Sequence, residues 1–243
     1  MVYMIMENAR IANNTWRMQL TGDTGKFTRP GQFVQVQVPG FYLRRPISVC
    51  DWDEKSLTLI YKAVGRGTDA MTHLKTGETV DLLTGLGNGF AVKACKPLLL
   101  GGGVGVPPLY KLCKELIGQG MKPAVVLGFN TQPEIFLAEE FKALGADVTV
   151  TTVDGSAGVK GFVTHGAQSL TGTFDYVYAC GPEPMLKAVF RLCAQTGVPG
   201  QLSLEERMAC GFGSCMGCTI QVKSGAKRVC ADGPVFETEE LPW

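Results

Sequence analysis

The chain carries almost no net charge: 23 Lys and Arg against 22 Asp and Glu leave a formal +1 over 243 residues. So even a balance gives no electrostatic footprint for nucleic acid or for an anionic membrane. Long apolar runs are missing too. The longest, PLLLGGGVGVPPLY (97–110), is broken by glycine and proline and cannot span a bilayer. The opening stretch, MVYMIMENARIANNTW, has neither a basic leading segment nor a small-residue cleavage site, and it alternates as a strand does. These absences predict a cytoplasmic protein with no membrane and no nucleic acid among its partners. In that compartment nine cysteines point to metal, redox chemistry or buried thiols before disulfides. Glycine is abundant, at 31 residues, which implies tight turns or close backbone approaches to ligands. The length suits two compact domains with a small appendage.

Five cysteines are scattered: Cys50, Cys95, Cys113, Cys180 and Cys193. Read plainly, most are small buried apolar side chains. The other four are spaced C-x4-C-x2-C-x11-C, as Cys210, Cys215, Cys218 and Cys230. The first three match the plant-type spacing for a [2Fe–2S] cluster, with one distal cysteine to complete it. Two irons bridged by two sulfides need four thiolates, two per iron. Gly211, Gly213 and Gly217 let a short loop wrap the cluster with backbone N–H groups turned toward sulfur. Zinc is the rival, but four-cysteine zinc sites come as two paired knuckles, and the second half here supplies one cysteine. TIQVKSGAKRVCADG after Cys218 reads as a hairpin that returns Cys230 to the loop.

Residues 1–93 read as short alternating strands. Val34, Val36 and Val38 share one face, and Leu57, Leu59, Tyr61 and Ala63 alternate with Thr58, Ile60, Lys62 and Val64. This pattern predicts an antiparallel β-barrel. Two features in it suit a flat, anionic ligand. In Arg44-Arg45-Pro46-Ile47-Ser48, a guanidinium at a strand start can grip phosphate and the strand edge can line a ring. Ile60-Tyr61-Lys62 leads into Val64-Gly65-Arg66-Gly67-Thr68, a glycine turn before a short helix predicted over Asp69–Lys75, which suits a diphosphate. Taken singly, each is weak, since an Arg-Pro strand start is usually structural and a glycine-rich turn is usually just a turn.

From Lys96 the pattern becomes strand, glycine loop, helix: Pro97–Leu100, then Gly101-Gly102-Gly103-Val104-Gly105, then Leu109–Ile117 behind Pro107-Pro108. A phosphate fits such a helix start. The loop is not the Rossmann fingerprint, because Val106 stands where the third glycine belongs. Strands follow at Ala124–Phe129, Asp147–Val153 and Asp175–Ala179, with helices at Pro133–Leu144 and Leu186–Gln195. That order predicts a parallel α/β sheet with ligands at the carboxyl ends of its strands. Both special loops, 101–105 and Cys180-Gly181-Pro182, fall at such ends. Cys180 is either a packed thiol or a neighbour of a nicotinamide ring. After the second strand, GFNTQPEIF (128–136) offers Glu134 and no Lys or Arg for a 2′-phosphate, which favours NADH over NADPH.

Arg45-Pro46-Ile47-Ser48, GGGVGVPPLY (101–110) and EERMACGFGSCMGC (205–218) occur in the order found in the ferredoxin reductase superfamily. Within it, the chain closely resembles the electron-transfer subunits of type B dihydroorotate dehydrogenases over nearly its whole length. The resemblance implies an FAD-binding β-barrel over 1–93, an NAD-binding α/β domain over 94–200 and a [2Fe–2S] module over 201–243. It implies that Arg45, Pro46, Ile47, Ser48, Ile60, Tyr61, Lys62, Gly67 and Thr68 bind FAD. Gly101, Gly102, Gly103 and Gly105, with Cys180, Gly181 and Pro182, would flank NAD, and Cys210, Cys215, Cys218 and Cys230 would ligate the cluster. It also implies an FMN-containing dihydroorotate dehydrogenase catalytic subunit as partner, two copies of each in a heterotetramer, serving pyrimidine biosynthesis. Electrons would run from that FMN through the cluster and FAD to NAD+. No acid–base side chain is demanded, so no catalytic residue is assigned. Two other readings stay open: a reductase subunit of a sulfide dehydrogenase or ferredoxin-linked complex, and a zinc-stabilised binding module.

Overall fold

A computed structural model describes residues 1–243. Six strands, β1 (Val2–Ala12), β2 (Thr15–Thr21), β3 (Phe33–Val36), β4 (Arg45–Trp52), β5 (Ser56–Lys62) and β6 (Thr79–Leu86), close a barrel in the order β1-β2-β5-β4-β3-β6. Every neighbouring pair is antiparallel. Period-two alternation fills the barrel: Val34, Val36, Leu57, Leu59 and Tyr61 join Ile5, Met18 and Leu20 in one core. Each such aliphatic side chain contributes about 1.5–3 kcal/mol by leaving water. The opposite face of β3, Phe33 and Gln35, is buried as well, against other parts of the chain. Between β5 and β6 the helix α1 spans Arg66–Met71, beginning three residues before the predicted Asp69.

The α/β unit follows. It contains β7 (Pro97–Gly102), a 3-10 turn at Gly103–Gly105, α2 (Pro107–Gly118), β8 (Ala124–Phe129), α3 (Ala138–Ala143), β9 (Asp147–Thr152) and β10 (Val159–Lys160). Then come α4 (Val163–Gln168), β11 (Tyr176–Cys180), α5 (Glu183–Thr196) and β12 (Gly200–Ser203). Pro107 opens α2, where its missing N–H costs no hydrogen bond. Leu109, Leu112, Cys113 and Leu116 recur at helical spacing as the face of α2 turned to the sheet. After a hairpin of β13 (Thr219–Val222) and β14 (Gly225–Arg228), β15 (Val235–Glu237) returns to the sheet. The sheet order is β10-β9-β8-β7-β11-β12-β15, parallel except for β15, which runs antiparallel to β12. Strands β12 and β15 thus lie in the α/β sheet, while the cysteine loop and hairpin stand outside it.

The helix predicted over Pro133–Leu144 is broken. Gln132–Glu134 makes a 3-10 turn, Ile135 is extended, and Leu137 takes a left-handed φ of 62° before α3 starts. The extended step drops Phe136 into the core against Phe129, ring centroids 5.3 Å apart, which a continuous helix would not do. Helix α4 escapes the sequence pattern because it is short and carries Gly166, pressed against Val126 and Thr151 of the sheet.

Barrel and sheet meet along β4 and α2. Asp51 takes Lys114 at 2.6 Å and Lys111 at 3.7 Å, and the Lys111 ammonium sits 4.4 Å from the Trp52 ring centre. Cys50 and Ile60 share a core with the buried face of α2. The segment between the cysteine hairpin and β15 is tied to the end of the barrel by Asn88, whose N–H donates to the Gly233 carbonyl at 2.7 Å and whose side chain donates to the Asp232 carbonyl at 3.2 Å. No helix is long and apolar enough to cross a membrane.

Candidate functional site: an interdomain cleft and a cysteine loop

The chain order of the sheet reverses between β7 and β11: β8, β9 and β10 lie to one side, β12 to the other. Crevices at such a switch point are where open α/β sheets hold ligands. Here Gly101 and Cys180 are register partners, and Cys180 is in turn the partner of Ser203. The Gly103–Gly105 turn presses on the loop after β11. A Cβ at Gly105 would overlap the Cys180 carbonyl and lie 2.5 Å from the Gly181 nitrogen, so only glycine allows the two loops to touch.

A cleft of about 760 Å³ opens between these loops and the barrel. Pro46, Ile47 and Ser48 of β4, Ile60, Tyr61 and Lys62 of β5, and Thr68 form one wall. Gly102, Gly103, Gly105, Cys180, Gly181 and Pro182 form the other. The cleft therefore joins residues from both motif sets. Arg45 and Gly67, each next in the chain to a lining residue, do not themselves line it and touch each other: a Cβ at Gly67 would run into the Arg45 guanidinium, which also lies 4.7 Å from the Phe41 ring centre. Gly101 does not line the cleft. It is packed in the sheet, where a Cβ would meet Val106 at 2.9 Å. The Thr68 hydroxyl accepts from the Val64 N–H at 3.1 Å and the Gly65 N–H at 3.2 Å, fixing the turn. A mostly apolar cleft of this size, with barrel strands on one wall and glycine loops on the other, fits nucleotide cofactors.

Sequence reasoning named Glu134 but missed its barrel partner and several other lining residues. Glu134 bridges the mouth of the cleft, 3.6 Å from Lys62 of the barrel, and accepts from Asn130 at 3.1 Å. Ser203, at the end of β12, and Glu205 and Met208 just beyond it also line the cleft. Burial, and then the charge of Glu206, raise the Glu205 carboxyl above its ordinary range. Burial holds the Cys180 thiol up at about 12, against the opposing hydrogen bond with Ser203. Ser203 could be found only from the β11–β12 register. Glu134 was visible in the sequence, but its barrel partner was not.

The four cysteines of the C-terminal motif fall into two pairs. The Cys215 N–H points at Cys210 Sγ, 3.5 Å away, near the surface. The Cys230 N–H points at Cys218 Sγ, 3.4 Å away, in the interior, and Gly213 donates to Cys230 Sγ at 3.1 Å. Two pairs are the arrangement two irons need. Burial pushes the Cys210 thiol up, but the N–H groups of Phe212, Cys215 and Ser214 overcome it and bring the pKa down to about 6. Burial and the adjacent Cys218 push Cys230 up to about 12. Arg228 braces the loop by donating to the Gly213 carbonyl at 2.9 Å while paired with Asp232. The donor set and its N–H surroundings fit a binuclear iron–sulfur group.

A flavin barrel, a nucleotide sheet and an iron–sulfur loop on one chain define an oxidoreductase of the ferredoxin reductase class, using FAD, NAD and a [2Fe–2S] cluster. The profile of the oxidoreductase NAD-binding domain matches residues 99–191. That of the iron–sulfur cluster binding domain of dihydroorotate dehydrogenase B matches 205–242. The dihydroorotate dehydrogenase B (NAD(+)) electron transfer subunit of Fusobacterium nucleatum is 44% identical over 98% of this chain and 96% of its own. That of Geobacillus sp. (strain WCH70) is 43% identical over the same shares. The chain belongs to this family of dihydroorotate dehydrogenase B electron transfer subunits. Among solved structures, an NADH-dependent reduced ferredoxin-NADP oxidoreductase, described for flavin-based electron bifurcation, superposes with TM-score 0.90 at 34% identity, over 99% of this chain and 90% of that one. The FAD/NAD-binding domain of a Vibrio cholerae nitric oxide dioxygenase shares the fold, with TM-score 0.70 at 19% identity over 81% of this chain.

Proposed function

We propose that this chain works in the cytoplasm, relaying electrons from an FMN-containing dihydroorotate dehydrogenase catalytic subunit to NAD+, two copies of each subunit forming a heterotetramer. One observation carries the reading: the cleft and the cysteine loop share a strand pair. Gln35 of β3 is the register partner of Pro46, which lines the cleft, and Gln35 also packs against Gly211 of the cysteine loop. Electron transfer needs that adjacency. Residues 1–243 are taken up by the barrel, the sheet and the cysteine hairpin, and a TIM barrel for the orotate chemistry takes about 250 residues, so that chemistry lies outside them.

In this reading Arg45, Pro46–Ser48, Ile60–Lys62, Gly67 and Thr68 hold FAD, and Cys210, Cys215, Cys218 and Cys230 hold the cluster. Gly102, Gly103, Gly105 and Cys180–Pro182 receive NAD, with Gly101 keeping the turn before them tight. Bound flavin supplies the exchange between electron pairs, carried as hydride by NAD, and the single electrons an iron–sulfur cluster takes. The chain binds and orients. Arg45 offers a charge-assisted donor fork to a diphosphate. The glycines let backbone approach the dinucleotide. Glu134, tied to Lys62 and Asn130, sets a carboxylate where a 2′-phosphate would meet repulsion.

The test is a visible spectrum of anaerobically purified protein before and after NADH, with iron and acid-labile sulfide assayed. Bleaching of both flavin and cluster bands is expected, and a colourless protein with zinc alone would end the proposal. The second reading, service to a ferredoxin-linked complex, draws on the likeness at TM-score 0.90 described above. It is separated by co-purification: a partner with FMN that oxidises dihydroorotate supports the first reading, and one that ignores dihydroorotate supports the second.

A further inference from the structure

Gln35 is the one side chain of the barrel whose chemistry is left unused. It is wholly buried, and neither its Nε2 nor its Oε1 has a hydrogen-bond partner. Leaving a buried amide unpaired costs about 1–3 kcal/mol, so native folds rarely keep one without a use for it. Its neighbours along β3 explain its direction. Val34 and Val36 point into the barrel core, whereas Phe33 packs in the cluster of apolar side chains that contains Cys218 and Cys230. Gln35, on the same face as Phe33, is turned toward the cysteine module. There it meets Gly211, the residue after Cys210. A Cβ at Gly211 would sit 2.6 Å from Gln35 Nε2 and 2.7 Å from its Cγ. Gly211 is left-handed, at φ 79°, so the loop has been both bent and stripped of a side chain at the point where the amide arrives.

We propose that the Gln35 side chain is a positioning residue for the iron–sulfur centre, donating its Nε2–H to a sulfur at the Cys210 end of the cluster and raising the cluster's reduction potential. The inference rests on the electron-transfer reading above. Sulfur ligands and sulfides accept hydrogen bonds and donate none, so the amide nitrogen, already the atom against Gly211, is the end that serves them. Reduction adds one negative charge to the cluster, and a donor aimed at sulfur stabilises the reduced form more than the oxidised one. Hydrogen bonds to the sulfurs are among the terms that set such potentials. The backbone N–H groups around the cysteines come from the loop itself. Gln35 comes from the strand paired with the flavin wall, so the same strand pair that joins the two sites also sets the level between them.

The experiment is an EPR-monitored redox titration of the complete, cluster-loaded protein as wild type, Gln35→Met and Gln35→Glu. Methionine keeps the length and loses the donor; glutamate keeps the shape and replaces the donor with acceptor oxygens. Wild-type iron, sulfide and FAD contents are expected in Gln35→Met, with the equilibrium for cluster reduction about tenfold less favourable, a drop of about 59 mV for one electron. Gln35→Glu is expected to fall at least as far. An unchanged potential in either loaded variant overturns the proposal. So does loss of the cluster from both variants while FAD stays bound, since Gln35 would then be a scaffold for the loop. Absence of iron and sulfide from the wild type would instead refute the electron-transfer reading itself, a separate result.

Discussion

Two thiols in this molecule are shifted in opposite directions: Cys180 is held up, at about 12, and Cys210 is brought down, to about 6. Cys180 ends a central strand and is sealed by packing. Cys210 sits in a loop without strand or helix, where N–H groups converge on its sulfur. The contrast is between two ways of building a site. The cleft is shaped by strands and helices whose own cores fix it, so its walls stand whatever it holds. The cysteine loop is shaped by glycines in left-handed turns, Gly211 and Gly213, and by thiols arranged for ligands. The first is a consequence of packing, while the second is shaped around the group its thiols would hold.

The largest effect expected from this contrast follows Cys218→Ser. Loss of one buried ligand should empty the cluster, seen as loss of iron and acid-labile sulfide, and abolish turnover with the catalytic partner. The cleft should survive: FAD content stays near wild type, and reduction of an artificial dye by NADH is partly retained. Loss of FAD together with the cluster would break the comparison, because the cleft would then depend on the loop.

A smaller effect, on thiol chemistry alone, sharpens it. In protein stripped of iron, iodoacetamide reacts with thiolates. Lowering the pKa means that Cys210 is ionised from mildly acidic pH upward, so its labelling rate should climb through a midpoint near pH 6 and level off by pH 8. Cys180, with its pKa raised, should stay unlabelled through pH 9. Peptide mass spectrometry reads both rates in one sample, and equal labelling at pH 7 would erase the distinction.

The same contrast governs how much was legible in the sequence. The iron–sulfur domain is local. The cysteines proposed as its ligands lie between Cys210 and Cys230, and their spacing carries the chemistry without any fold. The barrel strands announced themselves by alternation, and the Gly101–Gly105 loop by its place between strand and helix. The cleft is different, since its walls come from segments far apart in the chain. Ser203 and Glu205 join it only because β12 lies beside β11, which no local pattern states. Gln35 falls on the face of β3 opposite the valines, and an alternating strand gives no sign that both faces are covered. The broken helix before α3 failed for a related reason. Its apolar spacing was helical, but burial of Phe136 against Phe129 outweighed propensity.

The smallest effect separates the two regions glycine by glycine. In Gly105→Ala the new methyl would overlap the Cys180 carbonyl and crowd the Gly181 nitrogen, both backbone atoms that cannot rotate away. The two loops must part, at a cost of about 1–3 kcal/mol as in other overpacked sites, and the KM for NADH should rise with the fall in Tm. Gly217→Ala is the control in the cysteine loop. Its methyl would find only Cys215 Sγ, at an ordinary 3.6 Å, and its φ lies outside the left-handed region. Tm and iron content should hold within the roughly 0.5 kcal/mol typical of tolerated surface changes. A Gly105→Ala protein with wild-type Tm and KM would mean that the loops at the switch point yield as easily as the loop around the cysteines, and that packing does not fix the cleft.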